Sequence, residues 1–257
     1  MNSVKLASGY EMPMLGLGTW DLRGGKCKKA LKEALELGYT HIDTAWMYNN
    51  QREIGDTLRE IGADRSKLFI TSKVWRTHLH YDGVLQQFDE TINDLQTDYV
   101  DLFLIHWPNE TVAMRDTFRA LKSIFDAGKV KSIGVSNFNV DQMIEAKEVS
   151  EVPVSVNQIK YHPGLEDLDV LRWCQDHKVA LTAYSPLARK SILRNSTLTE
   201  IAKNHGKTTA QVALRWMVQK EIIVIPKASS KGHLKENMDL FDWSLSSEEM
   251  EKINSIN

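Results

Sequence analysis

The sequence predicts an α/β fold, a closed (β/α)₈ TIM barrel with an N-terminal β-hairpin cap. Eight short β-prone runs occur along the 257 residues, and segments with helical periodicity separate them. Parallel strands need helical crossovers, and closure of the sheet removes its exposed edges. No low-complexity linker and no shift of composition interrupts the alternation, so we expect one domain over residues 1–257.

The hairpin and the strands can be assigned in chain order. Residues 4–12 predict the hairpin, with its turn at Ser8 and Gly9, and this hairpin would cover the bottom of the barrel. The predicted strands cover residues 14–20, 40–45, 68–75, 101–107, 130–137, 154–161, 179–185 and 222–227.

The segments between the strands carry helical signals. One apolar stripe at helical spacing is formed by Val84, Leu85, Phe88, Ile92 and Leu95. Capping boxes and terminal glycines are predicted at Thr197 with Glu200, at Ser246 with Glu249, and at Gly38, Gly128 and Gly206. These signals place a helix after each strand, as the barrel requires.

Composition limits the classes of function. The net charge of −2 gives no basic surface, so neither nucleic acid nor a membrane is the expected partner. No apolar run approaches the roughly 20 residues of a membrane span, and the N-terminus lacks a signal-peptide core. Cys27 and Cys174 are isolated, which predicts no disulfide framework and no metal site. We therefore expect a cytoplasmic monomer that acts on a small molecule.

Polar residues stand near the ends of the predicted strands, where a TIM barrel carries its active site. His106 is the clearest case, because it ends the apolar run of residues 100–105, and a buried strand gains nothing from a titratable ring. The set comprises Asp43, Lys73, His106, Ser136, Asn137, Gln158, Tyr184, Ser185 and Lys227. We expect these side chains to face a common mouth.

Each of these residues alone has a structural interpretation. His106 could be a satisfied structural histidine, Asp43 could cap a helix, and Lys73 could extend to solvent. Their clustering favours chemistry, because a buried lysine and aspartate are costly unless they pair. Tyr48 follows on the loop after the second strand. A nearby ammonium would lower the pKa of its phenol from ~10, and the phenol could then act as a general acid toward a carbonyl oxygen.

The segments "GLGTW", "HIDTAWMY", "SKVW", "LIHWP", "GVSNF", "NQIKYHP", "AYSPL" and "IPKASSKGHLKEN" resemble the aldo-keto reductases, in family order and over almost the whole chain. The resemblance is to prokaryotic-type members, similar to diketogluconate and methylglyoxal reductases. It implies an oxidoreductase that reduces small aldehydes, ketones or dicarbonyls and binds NADPH without a Rossmann domain. The sequence agrees, since Gly16-Leu17-Gly18 lacks the third glycine of a dinucleotide fingerprint.

The resemblance also implies which residues form the site. The family's catalytic tetrad corresponds to Asp43, Tyr48, Lys73 and His106, with Tyr48 as proton donor. The cofactor would contact Gly18, Thr19, Trp20, Asp43, Ser136, Asn137, Gln158, Tyr184, Ser185, Leu187, Lys227, Ala228, Ser229, Ser230, His233, Glu236 and Asn237. The substrate pocket would be formed by Trp20, Met47, Tyr48, Trp75, His106 and Trp107.

Two departures from the family pattern affect specificity. Ala228 stands where many NADPH-dependent members have Ser or Thr, and His233 stands where an arginine usually holds the 2′-phosphate. We therefore expect weak discrimination against NADH. The loop after Pro108 is short, and the chain stops at Asn257 without the tail that covers the pocket in many members. We expect an open mouth and broad specificity.

Two other functions compete with the reductase. A barrel lyase or aldolase would form a Schiff base at Lys73 or Lys227. A non-catalytic relative would keep the nucleotide as a ligand without turnover.

Overall fold

The hairpin closes one end of the barrel. The computed structural model describes residues 2–256, and of Arg189 it describes the backbone only. Strands β1 (Ser3–Lys5) and β2 (Glu11–Pro13) pair antiparallel. Leu6 and Met12 from this hairpin join an apolar cluster formed with Phe69, Leu102, Leu104, Val156 and Ile223 from the barrel strands. The predicted hairpin is present, and its apolar side chains seal the interior.

Eight parallel strands form the barrel. They are β3 (Gly16–Gly18), β4 (His41–Asp43), β5 (Phe69–Val74), β6 (Val100–Ile105), β7 (Val130–Ser136), β8 (Val154–Lys160), β9 (Ala180–Tyr184) and β10 (Ile223–Val224). Each strand pairs with its neighbours in chain order, and a parallel bridge between Leu15 and Val224 joins the last strand to the first. The predicted (β/α)₈ barrel is confirmed.

The helices surround the sheet. They are α1 (Gly24–Glu36), α2 (Gln51–Glu60), α3 (Tyr81–Leu95), α4 (Met114–Asp126), α5 (Val140–Val149), α6 (Leu168–Asp176), α7 (Ser196–His205), α8 (Thr209–Gln219), α9 (Lys231–Met238) and α10 (Ser247–Asn254). Their apolar faces pack on the outer side of the strands and form the main core. Among residues 2–256, no helix is both long and apolar enough to cross a membrane.

The helix ends correct one sequence prediction. The capping box of Ser246 with Glu249 is present at the start of α10. The predicted box of Thr197 with Glu200 is wrong, because α7 begins at Ser196 and its N-cap is Asn195, whose side chain accepts from the backbone N–H of Leu198. An asparagine two residues earlier already satisfies an orphan N–H, so Thr197 falls inside the first turn.

Candidate active site

Asp43 and Lys73 form a buried ion pair at the carboxyl ends of β4 and β5. Lys73 Nζ donates to Asp43 Oδ1 at 2.7 Å and to the carbonyl oxygen of Thr44 at 2.8 Å. The second carboxylate oxygen of Asp43 accepts from Gln158 Nε2 at 2.8 Å. Burial lowers the pKa of Lys73, and the adjacent Asp43 carboxylate opposes that shift. Lys73 donates to two acceptors, and each carboxylate oxygen of Asp43 accepts a hydrogen bond. These partners make the burial of the two charges tolerable.

Tyr48 lies beside this pair. It ends the short 3₁₀ turn Trp46–Tyr48 that follows β4, and its side chain is buried. Lys73 Nζ lies 5.1 Å from the centroid of the phenol ring, and the ring of His106 meets it edge to face at 5.6 Å. The structure therefore brings the four residues predicted as the tetrad together.

The predicted direction of the pKa shift of Tyr48 is wrong. We expected Lys73 to lower the phenol pKa, but the pKa of Tyr48 is raised well above its ordinary value, first by burial and then by the charge of Asp43 and the nearby Tyr184. The ammonium of Lys73 is committed to Asp43 and the Thr44 carbonyl, so desolvation of the phenol dominates. At neutral pH the phenol keeps its proton.

His106 is an uncharged ring at the end of β6. Burial, with a smaller contribution from the charge of Lys73, lowers the pKa of His106 to about 3. Trp75 packs edge to face against it, with ring centroids 5.1 Å apart. Within residues 2–256 the buried Nδ1 atom of His106 has no hydrogen-bond partner. A neutral imidazole can orient a polar ligand through a ring nitrogen without adding charge.

A group of amide and hydroxyl side chains connects to the tetrad. Tyr184 Oη donates to Asn137 Oδ1 at 2.9 Å, and Asn137 Nδ2 donates to the carbonyl oxygen of His106 at 3.0 Å. Ser136 Oγ donates to the carbonyl oxygen of Gln158 at 2.7 Å. These residues come from β7, β8 and β9 and the loops that follow, as the strand-end prediction required. They place amide and hydroxyl groups next to the half-buried ring of Tyr184. This arrangement fits a flat ligand ring that carries a carboxamide.

The predicted phosphate end lies at the loop after β10 and at the start of α9. Lys227 is exposed, and Lys231 is the first residue of α9. Ser230 caps this helix, because its Oγ accepts from the backbone N–H of His233 at 3.4 Å. His233 is exposed, Ala228 and Asn237 are buried, and Ser185, Leu187, Ser229 and Glu236 are half-buried or exposed along the same side of the mouth. Two lysines and a helix start fit the phosphates of a dinucleotide.

Aromatic and apolar residues border the mouth. Trp20 is 51% exposed, and Met47 and Trp107 are each 38% exposed. The ring of Trp20 contacts that of Tyr48 at 5.1 Å between centroids. The loop after Trp107 is short, since α4 begins at Met114. The mouth is open at these side chains, as predicted.

Two buried amides that the sequence did not reveal support this mouth. Asn50 Nδ2 donates to the carbonyl oxygens of Thr19 and Leu22, both at 2.9 Å, and so fixes the first loop. Gln87 Oε1 accepts from the backbone N–H of Trp75 at 2.5 Å. Nothing in the sequence around either residue marks it, because each acts on a loop distant in the chain.

An open cleft lies elsewhere, between α7 and α10. Its volume is about 990 Å³, and its lining includes Glu200, Asn204 and Lys252. None of the predicted site residues borders it. We place the functional site at the strand ends, where the buried charges converge, and treat the cleft as a surface groove.

Known proteins are similar to this chain over its whole length. The model of the aldo/keto reductase family matches residues 14–257. The chain is 41% identical over 257 residues to glyoxal reductase of Bacillus subtilis (strain 168), covering 100% of this chain and 93% of that protein. It is 39% identical over 260 residues to 9,11-endoperoxide prostaglandin H2 reductase of Trypanosoma cruzi (strain CL Brener), covering 100% and 92%.

Solved structures give the same picture. An aldo-keto reductase from a Medee basin deep-sea metagenome library superposes with a TM-score of 0.96 at 40% identity, covering 100% of this chain and 95% of that chain. A protein described as a putative 2,5-diketo-D-gluconic acid reductase B superposes with a TM-score of 0.93 at 40% identity, covering 97% and 89%. The fold and the sequence similarity both extend over nearly the whole chain.

Proposed function

Because the chain belongs to the aldo/keto reductase family, we propose that it reduces small aldehydes, ketones or dicarbonyls with Tyr48 as the proton donor. As a family member it is an oxidoreductase that converts carbonyl groups to alcohols with a nicotinamide dinucleotide. The observation that carries the proposal is that the Lys73 ammonium and the His106 ring both lie against the Tyr48 ring, at 5.1 Å and 5.6 Å from its centroid.

The residues of the tetrad have distinct roles in this proposal. When bound, the nicotinamide would supply the hydride that the carbonyl carbon accepts. Tyr48 holds its proton at Oη, since its pKa is raised, and gives it to the carbonyl oxygen. Lys73 then faces a developing phenolate and stabilises it, while Asp43 keeps Lys73 charged. His106, being neutral, orients the carbonyl through a ring nitrogen.

We propose NADPH as the preferred cofactor, with weak discrimination against NADH. Lys227 and Lys231 support a phosphate site near the start of α9. His233 lacks the fixed charge of an arginine and Ala228 lacks a hydroxyl, which supports a weak preference.

Small carbonyl compounds are the proposed substrates. The exposed Trp20, Met47 and Trp107 give the mouth an apolar border without a deep enclosure. Broad acceptance follows, because buried polar partners are what reject wrong substrates most strongly. The similarity to a glyoxal reductase supports dicarbonyls within this class.

The Schiff-base alternative is disfavoured by the environment of Lys73. A nucleophilic amine has to be accessible and uncharged, whereas Lys73 is buried and donates to Asp43 and the Thr44 carbonyl. Borohydride should therefore trap no adduct between Lys73 and a carbonyl substrate. Lys227, the other candidate, is exposed and paired with Asp21 Oδ2 at 3.2 Å, and an adduct found specifically there would still support the lyase.

A panel of carbonyls tests the proposal. Glyoxal, methylglyoxal, simple aldehydes and ketones would each be mixed with NADPH or NADH, and loss of the near-ultraviolet absorbance of the reduced cofactor would be followed. We expect turnover with several small aldehydes or dicarbonyls. Cofactor binding without turnover on any carbonyl would support the non-catalytic alternative, and a borohydride-trapped adduct at Lys73 or Lys227 would support the lyase.

A further inference from the structure

Two loops meet where the barrel closes. Gly18 donates its backbone N–H to the carbonyl oxygen of Pro226 at 3.2 Å. A Cβ on Gly18 would lie only 2.4 Å from the carbonyl oxygen of Ile225, so the two backbones are in contact. Immediately beyond this contact, Lys227 Nζ lies 3.2 Å from Asp21 Oδ2. An ion pair thus joins the first loop of the barrel to the last.

Both partners of this ion pair are adjacent to residues that the proposed function assigns to the cofactor. Asp21 directly follows Trp20, and Lys227 directly precedes Ala228. The other lysine of the proposed phosphate site is also paired, since Lys231 Nζ lies 2.8 Å from Glu36 Oε2. Each of the two lysines that would meet a phosphate therefore meets a carboxylate of the chain itself.

We propose that Asp21 is a specificity-determining residue, whose carboxylate competes with the 2′-phosphate of NADPH for Lys227. This proposal rests on the proposed function, which gives Lys227 to the cofactor. Exposed ion pairs contribute little to stability, so Lys227 can exchange Asp21 for a phosphate at small cost. Asp21 then remains close to a phosphate of the same sign and weakens its binding. NADH carries no 2′-phosphate and escapes this penalty.

The substitution Asp21→Asn tests the proposal. Asp21 has a φ of 61°, a left-handed conformation that Asn also adopts readily, so the loop should keep its shape. Dissociation constants for NADPH and NADH would be measured by quenching of tryptophan fluorescence. We expect NADPH to bind roughly twofold to fivefold more tightly, the range of an exposed ion pair, with little change for NADH. The gain should shrink as salt is added.

Fragments of the cofactor provide a readout that does not need turnover. Adenosine 2′,5′-bisphosphate should gain affinity in the Asp21→Asn variant, while adenosine 5′-monophosphate should not. In a Lys227→Gln background the same substitution should have a smaller effect, because the cation for which Asp21 competes is gone and only the repulsion between Asp21 and the phosphate remains. The matched control is Glu60→Gln, which removes an equal charge from the exposed pair of Glu60 with Lys28.

The outcomes separate this proposal from the proposed function. If wild-type protein binds NADPH and Asp21→Asn changes NADH and NADPH equally, or changes neither, Asp21 does not read the phosphate and the proposal is overturned. A gain that also appears in Glu60→Gln would reduce it to an effect of net charge and overturn it as well. Wild-type protein that binds neither cofactor would instead overturn the proposed function.

Discussion

Lys73 Nζ lies 2.7 Å from Asp43 Oδ1, and the two side chains are 0% and 2% exposed. A buried ion pair is a poor means of gaining stability, since apolar residues of similar volume often do as well. The same ammonium nitrogen lies over the Tyr48 ring, 5.1 Å from the ring centroid. Under the proposed function, the pair holds a positive charge beside the Tyr48 phenol, which becomes negative as it gives up its proton.

Tyr48→Phe should nearly abolish carbonyl reduction and leave cofactor binding intact, because it removes one hydroxyl and no charge. General acid catalysis contributes roughly 10²- to 10⁴-fold, so we expect kcat to fall by that range. Turnover assays measure the loss of carbonyl reduction, and fluorescence titrations measure whether cofactor binding is retained. Tyr10→Phe is the matched control, since Tyr10 is exposed in the hairpin at the other end of the barrel. Near wild-type turnover by the Tyr48→Phe variant would show that Tyr48 is not the proton donor.

Lys73→Met should lower both activity and stability. It leaves the carboxylate of Asp43 buried without its cation, which costs about 3–5 kcal/mol in the free energy of unfolding. Urea unfolding at neutral pH measures this cost. Lys131→Met is the control, because its partner Asp101 still accepts from Arg65 at 2.7 Å and from the backbone N–H of Ile70 at 2.9 Å. Equal losses in the two variants would contradict the special role of the buried pair.

The sequence was sufficient for the barrel and for the residues at its mouth, because both follow from periodicity and from the position of a residue along its strand. The ends of the predicted strands were enough to place Asp43, Lys73 and His106 at the mouth. The pKa of Tyr48 could not be predicted in the same way, because its direction depends on how deeply the phenol is buried and on which acceptors occupy Lys73. The depth of burial and the partners of Lys73 are set by the packing of the folded chain.

Contacts between loops distant in the chain could not be predicted from the sequence either. Asn50 is one polar residue in a loop, and only the fold brings its amide to the carbonyl oxygens of Thr19 and Leu22. Asp21 and Lys227 belong to the first and last loops, and closure of the barrel makes them neighbours. The cap at Ser246 was predicted correctly, and the one at Thr197 failed because Asn195 precedes it and caps the helix.

Stability should fall as the pH is lowered from about 7.5 to 5.5, because two histidines are buried uncharged. Burial is the main cause that lowers the pKa of His41 to about 4 and that of His106 to about 3. In the unfolded chain each titrates near ~6.5. Below that pH the unfolded state gains protons that the folded state does not, so each histidine removes up to about 1.4 kcal/mol per pH unit.

Urea unfolding across this pH range measures the slope. His106→Asn should reduce the slope, because it removes one histidine that is buried uncharged in the folded protein. A slope that His106→Asn leaves unaltered would show that folding does not lower the pKa of His106. That result would contradict burial as the cause that keeps this ring neutral in the folded protein.

His233→Arg should tighten NADPH binding and leave NADH nearly unchanged. His233 is exposed on the first turn of α9, with its backbone N–H on the cap Ser230, so the new side chain can extend without disturbing the helix. Charge-assisted hydrogen bonds contribute about 1.5–3 kcal/mol, which corresponds to roughly a tenfold to hundredfold gain. Tryptophan quenching titrations with both cofactors measure it, and His177→Arg adds the same charge elsewhere as a control. Equal improvement for NADH and NADPH would mean that the side chain contacts the adenine and does not read the 2′-phosphate.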